Sequence, residues 1–196
     1  MKPKPMDPRI DEVLRFWFVQ SSYQQWFTKD PAFDERLRDR FGALHADASS
    51  GGLNSWRGSA RGELALILVL DQFSRNLYRD DAKAFANDER ALSLANDLQK
   101  TGRGAELSVV ERGFGLLPFE HSESKAMQEH SVTSFEALAA TAEGADAETA
   151  KSMLEYAKKH ASVIKEFGRF PHRNAALGRA STPDELAFLA KPDSGF

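Results

Sequence analysis

Three short segments of this chain combine charged and hydrogen-bonding side chains near the ends of helix-forming stretches. They read DQFSRN at 71–76, PFEHSES at 118–124 and FGRFPHRN at 167–174. Arginine binds carboxylates and phosphates through paired hydrogen bonds, and histidine and carboxylates transfer protons. If the fold brings these segments together, their side chains could bind a small anion and carry out acid–base chemistry on it.

The first segment follows the most apolar stretch of the chain, 64–70. At 100° per residue, Asp71 and Arg75 continue the apolar stripe of that helix and lie one turn apart, as do Gln72 and Asn76. Because a buried charge needs a partner, one interpretation is an internal salt bridge that satisfies a partly buried helix end. The other interpretation is that Asp71 orients Arg75 towards a cavity.

The second segment crowds three ionisable side chains into one helix junction. Pro118 is predicted to stop one helix and Ser122 to cap the next, and Glu120, His121 and Glu123 lie between and just after them. Glu123 suits the first turn of a helix, where the macrodipole favours acids. A neighbouring carboxylate and imidazole could act as base and orienter, or as metal ligands. Glu120 and His121 are therefore the predicted catalytic residues.

The third segment follows a long amphipathic helix whose apolar face is interrupted by His160. Such a histidine is either a satisfied core residue or a contributor to a site about two turns farther along. The glycine, proline and asparagine of FGRFPHRN have structural reasons, since they end one helix and begin the next. Arg169, His172 and Arg173 have no local reason. They could hold a carboxylate or phosphate beside a helix N-terminus, or pair with carboxylates of the other segments and fasten helices together.

These considerations give a set of predicted ligand-binding residues drawn from all three segments. The set is Asp71, Gln72, Arg75, Asn76, Glu123, His160, Arg169, His172 and Arg173. No metal is predicted, because no two histidines have the spacing of a recognised metal pair, although a His/carboxylate site assembled by the fold stays an open alternative. No cofactor is predicted, because the phosphate-loop, dinucleotide-binding and nucleophile-elbow sequence patterns are all absent.

The composition narrows the class of protein. A length of 196 residues favours a single domain over 1–196, with a loose tail at 190–196. The net charge of −3 argues against a general nucleic-acid binder. The chain has no cysteine, no apolar run after its first lysines and no apolar stretch long enough to cross a bilayer. We therefore expect a soluble cytoplasmic protein with neither nucleic-acid nor membrane partners.

The elements that must position these side chains are predicted to be helices. Asp-Pro pairs at 7–8 and 30–31 and a capping box at 182–185 indicate helix starts. Five longer helices are predicted at 59–78, 84–100, 106–117, 122–140 and 146–167. No strand or hairpin pattern is present. About eight or nine helices joined by short loops predict an all-α fold of antiparallel pairs, either a bundle or a solenoid-like stack.

Four motifs carry a resemblance to a known family. VLRFWF, LDQFSRN, LPFEHSES and FGRFPHRN occur in this order over about residues 10–189. In these motifs the chain resembles a domain-of-unknown-function family of mainly bacterial proteins. The resemblance implies a tetratricopeptide-like α-α superhelix, and it implies no reaction, substrate or residue role.

Binding of a small anionic ligand in a pocket of arginines, histidines and carboxylates is the favoured function, with Arg75, Arg169 and Arg173 as anion contacts. The first alternative is a metal-independent hydrolase or lyase with Glu120 or His121 as base. The second is a tetratricopeptide-like module for protein–protein interaction, which requires an exposed apolar patch. The third is a polar network that only fixes the helix register and leaves no cavity. The sequence leaves open whether the protein is an enzyme.

Overall fold

The computed structural model of this chain describes residues 6–192, which are helical with no β-strand. The α-helices are α1 (Pro8–Phe18), α2 (Tyr23–Phe27), α3 (Pro31–Ser50), α4 (Ala60–Ile67), α5 (Phe73–Leu77), α6 (Asp88–Lys100), α7 (Val109–Glu120), α8 (Lys125–Thr141), α9 (Ala145–Phe167) and α10 (Pro183–Leu189). The predicted all-α class is confirmed. Residues 1–5 and, from the predicted tail, 193–196 lie outside the described residues.

The predicted helix starts are present. The side chains of Asp7 and Asp30 each accept a hydrogen bond from backbone N–H groups in the first turn of the following helix, and each helix has proline at its first position. Thr182 and Glu185 form the capping box that begins α10. These bonds satisfy N–H groups that no helical carbonyl can reach, which is why short polar residues mark the boundaries.

The centre of the fold is the apolar rod formed by α4 and α5. The rod packs against α1, α3, α6 and α7, and α9 packs along α8 and α7. Aromatic rings fill the space around it: Trp17 lies 5.6 Å from Phe73 and 5.7 Å from Phe114, measured between ring centroids. All three side chains are fully buried. Each contributes about 2–3 kcal/mol by leaving water, so this cluster anchors the helices that carry the site.

A π-helical turn, Leu68–Gln72, joins α4 to α5. The backbone N–H of Phe73 donates to the carbonyl of Leu68, one residue farther back than in an α-helix. The helix predicted over 59–78 is present as one continuous rod over residues 60–77, and the π turn within it was not predicted. The wider turn changes the direction of the side chains that follow it, and such turns occur often at functional sites.

The junction between α7 and α8 also differs from the prediction. Helix α7 continues through Pro118 to Glu120, so the predicted stop at Pro118 was wrong. Helix α8 begins at Lys125, so the predicted cap at Ser122 was wrong as well. The buried side chain of Gln128 stabilises this junction, because its Nε2 donates to the carbonyls of Glu120 and Ser122 at 2.6 and 2.7 Å. One amide thus satisfies both carbonyls at the end of α7.

Three other predicted boundaries shift. The helix predicted from residue 106 begins at Val109, after a 3-10 turn at Arg103–Glu106. The helix predicted from residue 84 begins at Asp88, after a 3-10 turn at Ala82–Phe85. Asn174, predicted to start a helix, instead follows the 3-10 turn Pro171–Arg173 and leads into turns. Since the π turn joins α4 to α5, the described residues contain nine continuous helical rods, within the predicted number. The tetratricopeptide-like arrangement and the single domain stay predictions. No helix of residues 6–192 has the length and apolar character needed to span a bilayer.

Two glycines in helices test how closely these elements pack. A Cβ added at Gly62, in α4, would overlap the backbone carbonyl of Trp56, whereas a Cβ added at Gly42, in α3, has nothing within 4 Å. We expect Gly62→Ala to lower the free energy of unfolding by about 1–3 kcal/mol, because the backbone must move. The control Gly42→Ala should raise it by up to about 1 kcal/mol, since alanine favours helix. Urea denaturation measures both, and equal stability of Gly62→Ala and wild type would contradict the packing.

Candidate functional site

A cavity of about 640 Å³ lies among α2, α5, α9, the C-terminal end of α7 and the turn Pro171–Arg173. It collects side chains from all three polar segments. The predicted residues that line it are Gln72, Arg75, Asn76, Glu120, His121, His160, His172 and Arg173. Asp71 lies behind the wall and contacts three of these residues, Gln72, Arg75 and His121. Glu123 and Arg169 do not line the cavity.

Asp71 is a fully buried carboxylate within the π turn. Its Oδ1 accepts a hydrogen bond from Nδ1 of His121 at 2.7 Å and lies 3.0 Å from Nη1 of Arg75. Its Oδ2 accepts a hydrogen bond from Nε2 of Gln72 at 2.6 Å. Burial alone would raise the pKa of Asp71, but Arg75 and His121 outweigh it and hold that pKa below its usual value. Because the ionised carboxylate binds Nδ1–H of His121, Nε2 is the ring nitrogen that a ligand can use.

Asp88, the first residue of α6, links two arginines of the cavity. Nη1 and Nη2 of Arg75 donate to its two oxygens at 3.1 Å each, and Nη1 of Arg173 donates to Oδ2 at 3.1 Å. Asp88 was not among the site residues predicted from the sequence. An acid at the start of a helix has an ordinary explanation in the macrodipole, and its partners lie far away along the chain.

Arg173 is the most enclosed cation of the cavity. Its guanidinium lies 4.6 Å from the ring centroids of both Phe85 and Phe170, and Nη2 donates to the carbonyl of His121 at 2.9 Å. Its Nε forms no hydrogen bond with any residue in the range 6–192. Burial and the nearby charge of Arg75 lower the pKa of Arg173 to about 10. The two guanidiniums of the cavity, Arg75 and Arg173, thus lie beside two carboxylates, Asp71 and Asp88.

Glu120 is buried at the last position of α7, with 4% of its side chain exposed. Its Oε1 lies 3.1 Å from Nδ1 of His160, and its Oε2 accepts no hydrogen bond from any described residue. The carboxyl of Glu120, predicted from the sequence to be a catalytic residue, thus lies against a histidine of α9. Burial and the charge of Asp71 raise the pKa of Glu120 well above its usual value.

The histidines of the cavity favour the neutral form. Burial lowers the pKa of His121, and the charge of Arg75 lowers it further, against the opposite effect of Asp71. Burial and the charge of His121 place the pKa of His160 well below its usual value. Burial, Arg173 and Arg75 lower the pKa of His172 to about 4. Neutral imidazoles can accept hydrogen bonds or bind metal ions.

An aromatic wall that the sequence analysis did not predict forms the outer part of the cavity. Tyr23 and Phe27 of α2 lie 5.1 Å apart, and Phe27 stacks on Tyr156 of α9 at 6.4 Å. All three are more than 40% exposed, and Lys29 and Lys159 lie beside them. The aromatic residues clustered in SYQQWF, residues 22–27, could have indicated such a wall. The sequence of a short helix does not reveal which distant helix it faces, so Tyr156 could not be added to them.

Glu123 and Arg169 belong to a second polar network that holds the third segment in place. Glu123 accepts hydrogen bonds from the backbone N–H of Phe170 and from Nη1 of Arg179, both at 2.8 Å. Arg169 donates to both oxygens of Glu185 at 2.6 and 2.7 Å. From the sequence, these side chains could either bind an anion or pair with other charged groups and hold helices together. Their contacts agree with the second interpretation, and they hold the loop that places Arg173 at the cavity.

The arrangement supports two kinds of chemistry. The Asp71–His121 hydrogen bond resembles the orienter–base pairs that activate nucleophiles or remove protons. Glu120, His121 and His160 also each offer one ligand atom, and these atoms all lie within 4.8 Å of one another. The same residues could therefore move protons or bind a metal ion.

The structural role of Arg169 can be tested by pH. Its hydrogen bonds, and the backbone N–H of Thr182, lower the pKa of Glu185 from 4.5 to about 2. A carboxyl whose pKa falls on folding stabilises the fold above its unfolded pKa, and this stabilisation is lost as the pH falls towards the folded pKa. We expect the difference in unfolding free energy between wild type and Glu185→Gln to be constant near neutral pH and to shrink below about pH 4.5.

Urea denaturation at a series of pH values measures this difference. Glu129→Gln, which changes an exposed glutamate of α8, is the matched control and should show little difference at any pH. A difference for Glu185→Gln that does not change with pH would contradict the ion pair with Arg169.

Comparisons with known proteins agree with the four sequence motifs. The family described as a bacterial protein of unknown function (DUF924) matches residues 13–193. None of the curated proteins matches this chain. A solved structure of a protein of unknown function from Agrobacterium tumefaciens is 34% identical, with a TM-score of 0.83 over 93% of this chain and 97% of that chain. The chain therefore belongs to the DUF924 family of bacterial proteins of unknown function.

Proposed function

We propose that this protein binds a small organic anion in the cavity, with the acidic group at Arg173 and Arg75. The observation that carries the proposal is the state of Arg173. Its guanidinium is enclosed between two aromatic rings, its pKa is lowered by burial and by Arg75, and its Nε has no hydrogen-bond partner among the described residues. An anion would offset the repulsion between the two cations and accept the remaining hydrogen bond.

The charges of neighbouring groups support an anion over a neutral ligand. Arg75 is already bound to Asp71 and Asp88, and Arg173 shares Asp88. Even so, Arg173 and Arg75 are the main charges that lower the pKa of His172. We infer that a carboxylate or phosphate at this inner end of the cavity would be attracted by the two guanidiniums near His172.

The aromatic wall indicates the rest of the ligand. Tyr23, Phe27 and Tyr156 present ring surfaces at the outer end, and Lys29 and Lys159 lie beside them. A volume of about 640 Å³ is in the range of cavities that enclose a small organic molecule. We therefore infer a ligand with an acidic group at one end and an apolar or aromatic body at the other.

The presence of a cavity among these side chains also argues against the alternative of a polar network with a structural role alone. A polar network that only fixed the helix register would satisfy its side chains and leave no space. Here the side chains surround a cavity, and Glu120 and Arg173 each keep a buried polar atom without a hydrogen bond from the described residues. Such unsatisfied groups cost stability, so a ligand that satisfies them is the simpler explanation. The protein-interaction alternative stays a prediction.

The Asp71–His121 hydrogen bond favours a second candidate, in which the bound anion is also a substrate. Asp71 would hold His121 in the tautomer that leaves Nε2 as the base, and Glu120 would stand beside it as the acid. This arrangement suits a hydrolase or a lyase. If so, a ligand found by binding should be converted slowly, and His121→Gln should stop its conversion with little loss of affinity.

Binding of organic acids tests the proposal. We expect aromatic carboxylates or phosphate monoesters to bind in ligand-observed NMR and thermal-shift measurements, and their neutral amides or esters not to bind. Arg173→Met keeps most of the packing volume and removes the charge, and it should weaken a hit by about 10- to 100-fold.

Arg57→Met is the matched control, because Arg57 is an exposed arginine that pairs with Asp97 and does not line the cavity. Its affinity for the hit should equal that of wild type. If no organic acid binds, or if a hit binds equally well to Arg173→Met with its fold intact by circular dichroism, the proposed function is wrong.

A further inference from the structure

Three metal-ligating side chains meet at the floor of the cavity. Glu120 and His121 come from the C-terminal end of α7 and His160 from the middle of α9. One ligand atom from each lies within 4.8 Å of the other two. Two imidazoles and one carboxylate are a common ligand set for first-row transition ions. Glu120 and His121 were possible metal ligands from the sequence, but His160 could not be grouped with them because it lies far away along the chain.

The second layer of contacts resembles that of metal sites. A histidine that binds a metal usually donates its other ring N–H to a carboxylate or a carbonyl, which fixes its tautomer and direction. Nδ1 of His121 is bound to Asp71 at 2.7 Å. Nδ1 of His160 lies 2.9 Å from the carbonyl of Tyr156 and 3.1 Å from Oε1 of Glu120, so the proposal assigns Nε2 of His160 to the metal. Gln72 and Arg75 hold Asp71 in turn. The position of His121 is therefore prepared before any ligand arrives.

Glu120 supplies the independent observation. Its side chain is 4% exposed, it lines the cavity, and its Oε2 accepts no hydrogen bond from any described residue. A buried carboxyl in this state is costly unless a cation or a proton compensates it. The end of α7 adds to the cost, because the C-terminus of a helix carries the negative pole of the macrodipole and favours cations.

Arg75 and Arg173 do not supply the cation that would compensate the buried carboxyl of Glu120. Arg75 is engaged by Asp71 and Asp88, and Arg173 is engaged by Asp88 and by a backbone carbonyl. Among the described residues, no arginine or lysine forms an ion pair with Glu120. The two aspartates also reduce the repulsion that the guanidiniums would exert on a bound cation.

We propose that Glu120, His121 and His160 bind a single divalent transition-metal ion of the zinc class, with one coordination position open to the cavity. Three protein ligands and an open position are typical of catalytic metal sites. The hard oxygen ligands that select magnesium or calcium are in the minority here, so those ions are disfavoured. The metal site stands without the proposed anion, although a carboxylate or phosphate in the cavity could occupy the open position.

Titration with metal alone tests this proposal. Protein freed of metal with a chelator is titrated with zinc chloride by calorimetry, and with cobalt(II) chloride by visible absorption. We expect saturation at a single ion per chain, and loss of binding in both Glu120→Gln and His160→Gln. Asp71→Asn should weaken binding by about 10- to 100-fold, because Asp71 only orients His121.

His130→Gln removes an exposed histidine outside the cavity and should leave the titration unchanged. Circular dichroism and thermal denaturation without metal check that each variant is folded. The proposal is overturned if wild type shows no saturable binding, or if both Glu120→Gln and His160→Gln bind as wild type does.

Repeating the organic-acid screen with and without chelator separates the two proposals. Organic acids that bind with chelator present, in a protein that takes up no zinc, would support the anion site and overturn the metal site. Saturable zinc binding with no organic acid bound in either condition would support the metal site and contradict the proposed function.

Discussion

The fully buried carboxylate of Asp71 is the constraint on which the candidate site depends. A charge at the centre of an apolar rod is tolerated only when several donors surround it. Gln72, Arg75 and His121 supply these donors, and each is a wall residue of the cavity. The π turn makes this possible, because it redirects the side chains at the end of the rod towards α7. The requirement to satisfy Asp71 thus also determines where an arginine and an imidazole face the cavity.

The features that were predicted correctly from the sequence depend on residues that lie close together in the chain. Helix caps such as Asp7 and Asp30 depend on the next two or three residues, and the Asp71–Arg75 pair depends on a single helical turn. The prediction from the sequence was wrong at the junction between α7 and α8. Pro118 does not end α7, and Gln128 of the next helix satisfies the carbonyls at the end of that helix.

The same limit applies to the site residues. The three polar segments were identified as one candidate site, and most of their side chains surround one cavity. Their division into two groups could not be predicted, because Asp88 and Glu185 decide it and both look like ordinary helix-start acids. Asp88 holds Arg75 and Arg173 in the cavity, whereas Glu185 holds Arg169 away from it. The roles of the grouped residues stay predictions.

We infer that the Glu120 carboxyl serves a ligand and that the fold does not need its charge. The variant Glu120→Gln tests this inference most directly, because it keeps the shape of the side chain and the bond of Gln128 to the backbone carbonyl of residue 120. The measurement is the free energy of unfolding by urea denaturation in the presence of a chelator. We expect the free energy of unfolding of Glu120→Gln to equal or exceed that of wild type, because a ligand-binding carboxyl is costly to bury. A loss of more than about 1 kcal/mol would contradict it and would make Glu120 a structural residue.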